Sequence, residues 1–205
     1  MRISVEARRT AITSAMQHLD TGRSVEALAI TSALIARDPS SLETLETHAV
    51  VLLAETLRMS DDGNTEQARD LKEEAFETYL TMCDLVGVSA QTRFSTAQLA
   101  HELGKITQAQ VLYKLSHVEL PNDGRPALWL AQIDLLEEDW DSANNWIQQS
   151  LERQPDEPFT LISAGLIQAN LQACDTAISL TTKAIRLKPN DENFRFMQAR
   201  IFRLC

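Results

Sequence analysis

Aromatic residues make up only 5% of this 205-residue chain, which also holds just six glycines, six prolines and three cysteines. Each scarcity excludes something. Sheets favour β-branched and aromatic side chains, whereas the apolar 44% of this sequence is rich in alanine and leucine and suits closely packed helices. So few glycines and prolines could not turn an all-β chain of this length. Cys83, Cys174 and Cys205 are odd in number and widely spaced, so no disulfide framework and no metal-ligand set is expected. A reducing compartment, the cytoplasm, follows as the expected location. The longest purely apolar run, Ala49 to Ala54, is too short to span a bilayer, so membrane insertion is not expected. Basic residues are also in short supply. The 19 Lys and Arg against 29 Asp and Glu leave a net charge of −10, which repels phosphate backbones and argues against a nucleic-acid partner.

Catalytic constellations are missing as well. His18, His48, His101 and His117 are scattered, with no cysteine or carboxylate at ligand spacing. His101-Glu102 opens like a zinc-protease helix, but no second histidine follows four residues after His101. Glu137, Glu138, Asp139 and Asp141 read as acids that favour the start of a helix just after a turn. There is no G-x-S-x-G, no phosphate-cradling glycine loop and no C-x-x-C. A non-enzyme without metal or cofactor is expected.

What the chain does have is a period. Pro121, Pro155 and Pro189 are 34 residues apart, and so are Ala109, Ala143 and Ala177, each alanine twelve residues before its proline. Ala27 and Pro39 repeat the offset of twelve near the N-terminus. Another small residue lies twelve before each alanine: Ala15, Ala97, Ala131 and Gly165. A further unit sits between them, where Ala68 is 41 residues from both Ala27 and Ala109, seven more than the period on each side. Placing the first seven at the polar stretch Ser60 to Asn64 aligns Ala49 with the small positions, and the second seven lengthen the next helix through Leu80 to Asp84. Gly22, Gly63 and Gly104 each fall five residues before the second small residue, where a turn between paired helices is expected. Prolines close the second helix, since proline lacks an amide and disfavours helix before it. Two helices approach closely only where neither carries a large side chain, so the small residues form a packing code.

This grid resembles the tetratricopeptide repeat family, a helix–turn–helix unit of about 34 residues. The resemblance implies an all-α, right-handed superhelical solenoid. It covers nearly the whole chain as one domain, 1–205. The units are 8–41, an enlarged 42–89, 90–123, 124–157 and 158–190, followed by a capping helix over 191–204. The enlarged unit lacks the terminal proline, and the family's aromatic positions are mostly aliphatic here.

In this family the first helix of each unit lines a concave face where a peptide or helix lies. Carried onto this chain, that picks out Arg9, Ile12 and Met16, then Glu43, Glu46 and Val50, then Gln91, Phe94, Gln98 and His101. Arg125, Leu128, Gln132 and Leu135 follow, and Phe159, Ile162 and Leu166 complete the lining. Trp129 stands apart from the packing grid and, with Arg125, forms a candidate contact pair, because Trp and Arg are favoured hot-spot residues; a buried structural Trp is the equal alternative. The Lys, Asn and Arg clamp for acidic chaperone tails is absent. The expected function is a protein-interaction scaffold that binds a protein or peptide ligand. The alternatives are a chaperone for secreted or membrane-active clients and a regulatory subunit of an enzyme complex.

Charge is spread unevenly. Residues 43–84 carry eleven acids against Arg58, Arg69 and Lys72, while residues 183–205 carry six bases against Asp191 and Glu192. After Pro189, Asn190 or Asp191 can cap a last helix whose Phe194, Met197, Ile201 and Leu204 recur at helical spacing. Phe196 and Phe202 lie off that stripe among Arg195, Arg200 and Arg203. Either the helix buries both faces, or its surplus face meets the acidic region of a second copy to make a homodimer.

Overall fold

The computed structural model describes residues 3–85 and 87–205, and the described residues form eleven helices and no strand. They fall into two compact units, up to Ala109 and from Gln110 onward. No helix among the described residues is long and apolar enough to cross a membrane.

The first unit holds α1 (Val5–Asp20), α2 (Ser24–Ile35), α3 (Leu42–Asp61), α4 (Thr65–Cys83), α5 (Ala90–Glu102) and the start of α6 (Ile106–Glu119). Serine hydroxyls begin three of these helices. Ser4, Ser41 and Ser89 accept the amides of Ala7, Thr44 and Thr92, groups that would otherwise lack partners at a helix start. The turns after α1, α3 and α5 use Gly22, Gly63 and Gly104 at φ +75°, +80° and +74°, a left-handed conformation that glycine adopts without a Cβ penalty. Ala15, Ala27 and Ala49 have no exposed surface, so each helix meets its neighbour at close range. The extra residues go into helix: Ser60 and Asp61 continue α3, which reaches 20 residues, and α4 runs 19 residues to Cys83.

Two buried polar sets tie these helices together. Thr31 Oγ1 of α2 lies 2.8 Å from Nδ1 of His48 on α3, and His48 Nε2 lies 3.4 Å from Glu74 Oε1 on α4. Burial holds the His48 pKa below its ordinary value, with Glu74 opposing. Glu55, 2% exposed, is held by Arg58 at 2.5 and 2.9 Å and by the Ser24 hydroxyl. These contacts, the Arg58 bond foremost, pull its pKa down and keep the carboxylate charged.

The second unit holds the rest of α6, then α7 (Arg125–Leu136), α8 (Trp140–Arg153), α9 (Pro158–Asn170), α10 (Cys174–Leu187) and α11 (Glu192–Leu204). Leu128, Ala131, Ala143, Ile147, Ala164 and Ile167 form one core cluster, and Leu166, Ala169, Ala177 and Ile201 form another. Fully burying a side chain such as Ile147 or Ile167 stabilises the fold by about 1.5–3 kcal/mol. A Cβ on Gly165 would run into the Thr181 hydroxyl of α10, which is why the small position of this repeat is a glycine. Arg153 Nη1 donates to the carbonyls of His117, Leu120 and Asp123 at 2.9–3.1 Å, satisfying the end of α6 and the turn that follows. Asp191 caps α11 by accepting the amides of Asn193 and Phe194. Phe194 and Ile201 pack inward, whereas Leu204 at the chain end is 38% exposed.

One expectation is corrected here. Cys174, the first residue of α10, and Cys205, just past α11, form a disulfide with their Cα atoms 5.4 Å apart. Residues 31 apart in sequence meet because α10 and α11 run antiparallel, so the start of one helix lies beside the end of the other. Spacing alone hides such a pairing. Cysteine usage therefore no longer argues for a reducing compartment.

Candidate peptide groove

Within the second unit, α9 packs beside both α7 and α11. Each of the three presents a stripe at helical spacing: Gln132 and Leu135 on α7, Phe159, Ile162, Ser163 and Leu166 on α9, and Asn193, Phe194 and Met197 on α11. The stripes converge on a cleft of about 290 Å³. Ile162, Leu166 and Phe194, all almost wholly buried, form its floor. Phe159 is 53% exposed at the rim and its ring centroid lies 6.2 Å from that of Phe194. Gln132 Nε2 donates to Ser163 Oγ at 2.7 Å, and that hydroxyl donates to the Phe159 carbonyl at 2.9 Å.

Among the described residues, no ionisable side chain lines the cleft. Ser163 spends its proton on a backbone carbonyl, and most of the cleft surface around it is apolar. The polar atoms that do line it, the carbonyl oxygen of Gln132 and the amide of Asn193, can orient a peptide backbone.

The residues singled out in sequence divide between the two units. In the second, Gln132 and Phe159 line the cleft. Leu128 does not: it is 8% exposed and packs with Ala131 and Ile147. Trp129 is half-buried, its indole stacked on Tyr113 with the ring planes 3° apart and the centroids 6.2 Å apart. Arg125 is exposed but held at the head of α7 by Asp123, with Nη2 2.6 Å and Nε 2.9 Å from Oδ2. In the first unit, Gln98 and His101 are half-buried on α5, and burial lowers the His101 pKa. Phe94 is 1% exposed and belongs to the core, a correction to its reading as a contact residue.

The period explains that correction. Phe94, Leu128 and Ile162 are equivalent positions 34 residues apart, and all three are buried, each three residues before a small packing residue. Gln91, Arg125 and Phe159 are also equivalent, and all three are exposed. Ser163, Asn193, Phe194 and Met197 went unselected. Phe194 and Met197 were legible as the inward stripe of the last helix. That this stripe also walls a cleft depends on how α11 packs against α9.

No protein-family model matches this sequence, and no curated protein matches it. Solved structures do. The crystal structure of YrrB, a tetratricopeptide repeat protein with an unusual peptide-binding site, superposes with a TM-score of 0.65 at 16% identity, over 92% of this chain and 90% of that one. The fold is a tetratricopeptide repeat array. A tetratricopeptide repeat protein from Parabacteroides merdae agrees at TM-score 0.67 and 14% identity, over 96% of this chain and 72% of that one. A crystal structure of MamA agrees at TM-score 0.68 and 14% identity, over 92% and 97%. At these identities the likeness is one of fold. In the repeat frame α7 and α9 are first helices of their units, and α11 occupies the place where another first helix would stack.

Proposed function

We propose that this repeat protein is a non-enzymatic interaction scaffold whose α7–α9–α11 cleft takes apolar side chains from a partner's peptide or amphipathic helix. The observation that carries this reading is an uncharged cleft with a buried floor, whose aromatic Phe159 stands exposed at its rim. A buried floor costs little to organise on binding, and one exposed aromatic beside a desolvated pocket is a typical anchor point. The absence of charge in the lining favours apolar anchors over carboxylate tails. YrrB, which shares the fold, has a peptide-binding site of its own. That lends the reading support by analogy of fold alone.

The test uses a displayed library of helical peptides with randomised residues at i, i+3, i+4 and i+7, selected on the parent protein. Selected peptides are expected to carry aromatic or aliphatic anchors, and to bind the Phe159→Ala and Gln132→Glu variants about tenfold more weakly, about 1.4 kcal/mol. Phe159 is exposed and Gln132 half-buried, and circular dichroism would confirm that both variants fold. Selected peptides that bind both variants as well as the parent would place recognition elsewhere.

A further inference from the structure

Among the described residues of the second unit, α11 packs on α9 and α10 and leaves its opposite face exposed. Phe196 is 66% exposed, Phe202 49% and Leu204 38%, so two aromatic rings face solvent on one helix. Arg195, Arg200 and Arg203 are exposed on the same arc, and Glu192 is the only acid there. Among the described residues no carboxylate pairs with Arg200 or Arg203, and Arg195 donates only to the Pro189 carbonyl. In a stack of repeats this is the face that the next helix would cover.

A complementary face exists on α3. Glu43, Glu46, Val50, Leu57 and Asp61 recur on one side of that helix, and all five are exposed, Val50 at 44% and Leu57 at 68%. The stripe has acids at both ends and aliphatic side chains between them. Val50 and Leu57 stand about 10 Å apart along the helix axis, and Phe196 and Phe202 about 9 Å apart along theirs. The signs are opposite: Arg195 lies at one end of the α11 face, with Arg200 and Arg203 towards the other. Glu43 has a partner already, Arg8 at 3.5 Å, but its side chain remains 46% exposed.

We propose that α11 of one copy docks on the α3 face of a second copy, so that the chain self-associates head to tail. Phe196 and Phe202 cover Leu57 and Val50, and an antiparallel crossing brings Arg203 to Glu46, with Glu43 one turn beyond, and Arg195 to Asp61. Pairing two α11 faces with each other is disfavoured, because three arginines on each would be brought together with only Glu192 on each to offset them. The contact is therefore heterologous and leaves each copy with one face to spare, which builds a chain or a ring rather than a closed two-fold dimer. The Cys174–Cys205 disulfide holds the far end of α11 in place, so little freedom is lost on docking. This contact uses neither Phe159 nor Gln132 and stands apart from the peptide groove.

The test is light scattering at rising protein concentration on the full chain. The parent is expected to grow beyond a monomer, and several-fold higher ionic strength to weaken that growth. Phe196→Ser with Phe202→Ser, and separately Glu43→Lys with Glu46→Lys, should each weaken association by about tenfold or more. All four positions are exposed, and unchanged circular dichroism would show that both variants fold. The decisive sample is their mixture. Each variant keeps one intact face, so the two should form a one-to-one pair that grows no further. A parent that stays monomeric at every concentration overturns the proposal. So does an α3 variant that associates as the parent does, or a mixture that forms no pair. Parent protein that remains monomeric yet pellets with phosphatidylserine vesicles through Phe196 and Phe202 would assign the face to a membrane surface instead.

Discussion

Among the described residues, the turns after α1, α3, α5, α7 and α9 each use a left-handed residue, and only three of the five are glycine. Gly22, Gly63 and Gly104 are followed, one period apart, by Glu138 at φ 59° and Gln172 at φ 62°. A side chain in that conformation crowds the following carbonyl, at a cost of about 1–2 kcal/mol. Glycine would remove the crowding but gain freedom in the unfolded chain, so the two effects partly cancel. Gln172 is exposed, and among the described residues its side chain makes no hydrogen bond, although its amide donates to the Ala169 carbonyl. Gln172→Gly should therefore stabilise the second unit by about 0.5–1 kcal/mol. A urea midpoint that rises at unchanged slope would show it; a midpoint that falls would mean that unfolded-state entropy outweighs the relieved crowding.

Helices in the second unit are held at both ends of the α10–α11 pair. Asp191 caps the start of α11, and the disulfide ties its end to the start of α10. Closing a loop of this length removes unfolded-state entropy equivalent to about 3–4 kcal/mol. Cys205→Ser should accordingly lower hydrogen-exchange protection across α10 and α11, and reductant should reproduce the loss in the parent but add nothing to the variant. Equal protection with and without reductant in the parent would show that the cystine contributes no stability. Register shows at this scale too. Phe94, Leu128 and Ile162 face inward because the small residue three positions later brings the neighbouring helix against that side.

At the scale of the whole molecule, the two units answer to different conditions. The first is pinned by Thr31, His48 and Glu74, with His48 only 3% exposed. Burial depresses the folded pKa of His48, so the fold prefers it neutral. The unfolded chain takes up a proton as pH falls below about 6.5, and the folded chain does so only at lower pH. The contribution is complete above the unfolded value and is lost as pH falls through and below it, at no more than about 1.4 kcal/mol per pH unit. Lowering the pH from neutrality should thus weaken hydrogen-exchange protection in α2, α3 and α4 before it affects α10 and α11. His48→Gln should flatten that dependence; an unchanged pH profile in the variant would place the titration elsewhere.

The sequence by itself determined the helical class, the repeat and its period. Those properties are local: helix propensity, prolines that end helices, glycines that turn, and small residues that permit close approach recur at readable intervals. Gln132 and Phe159 were picked out by the family resemblance laid on the first helices, and both line the cleft. Depth within the first-helix face was beyond the sequence. Phe94 and Phe159 look alike as letters, and only their position relative to the small packing residue decides that one is core and the other rim. The tertiary structure alone decided that Cys174 meets Cys205, that α11 walls the cleft with Asn193, Phe194 and Met197, and that Phe196 and Phe202 stay uncovered. Each depends on which residues far apart in the chain become neighbours, and that is settled by how helices pack rather than by any pattern within one of them.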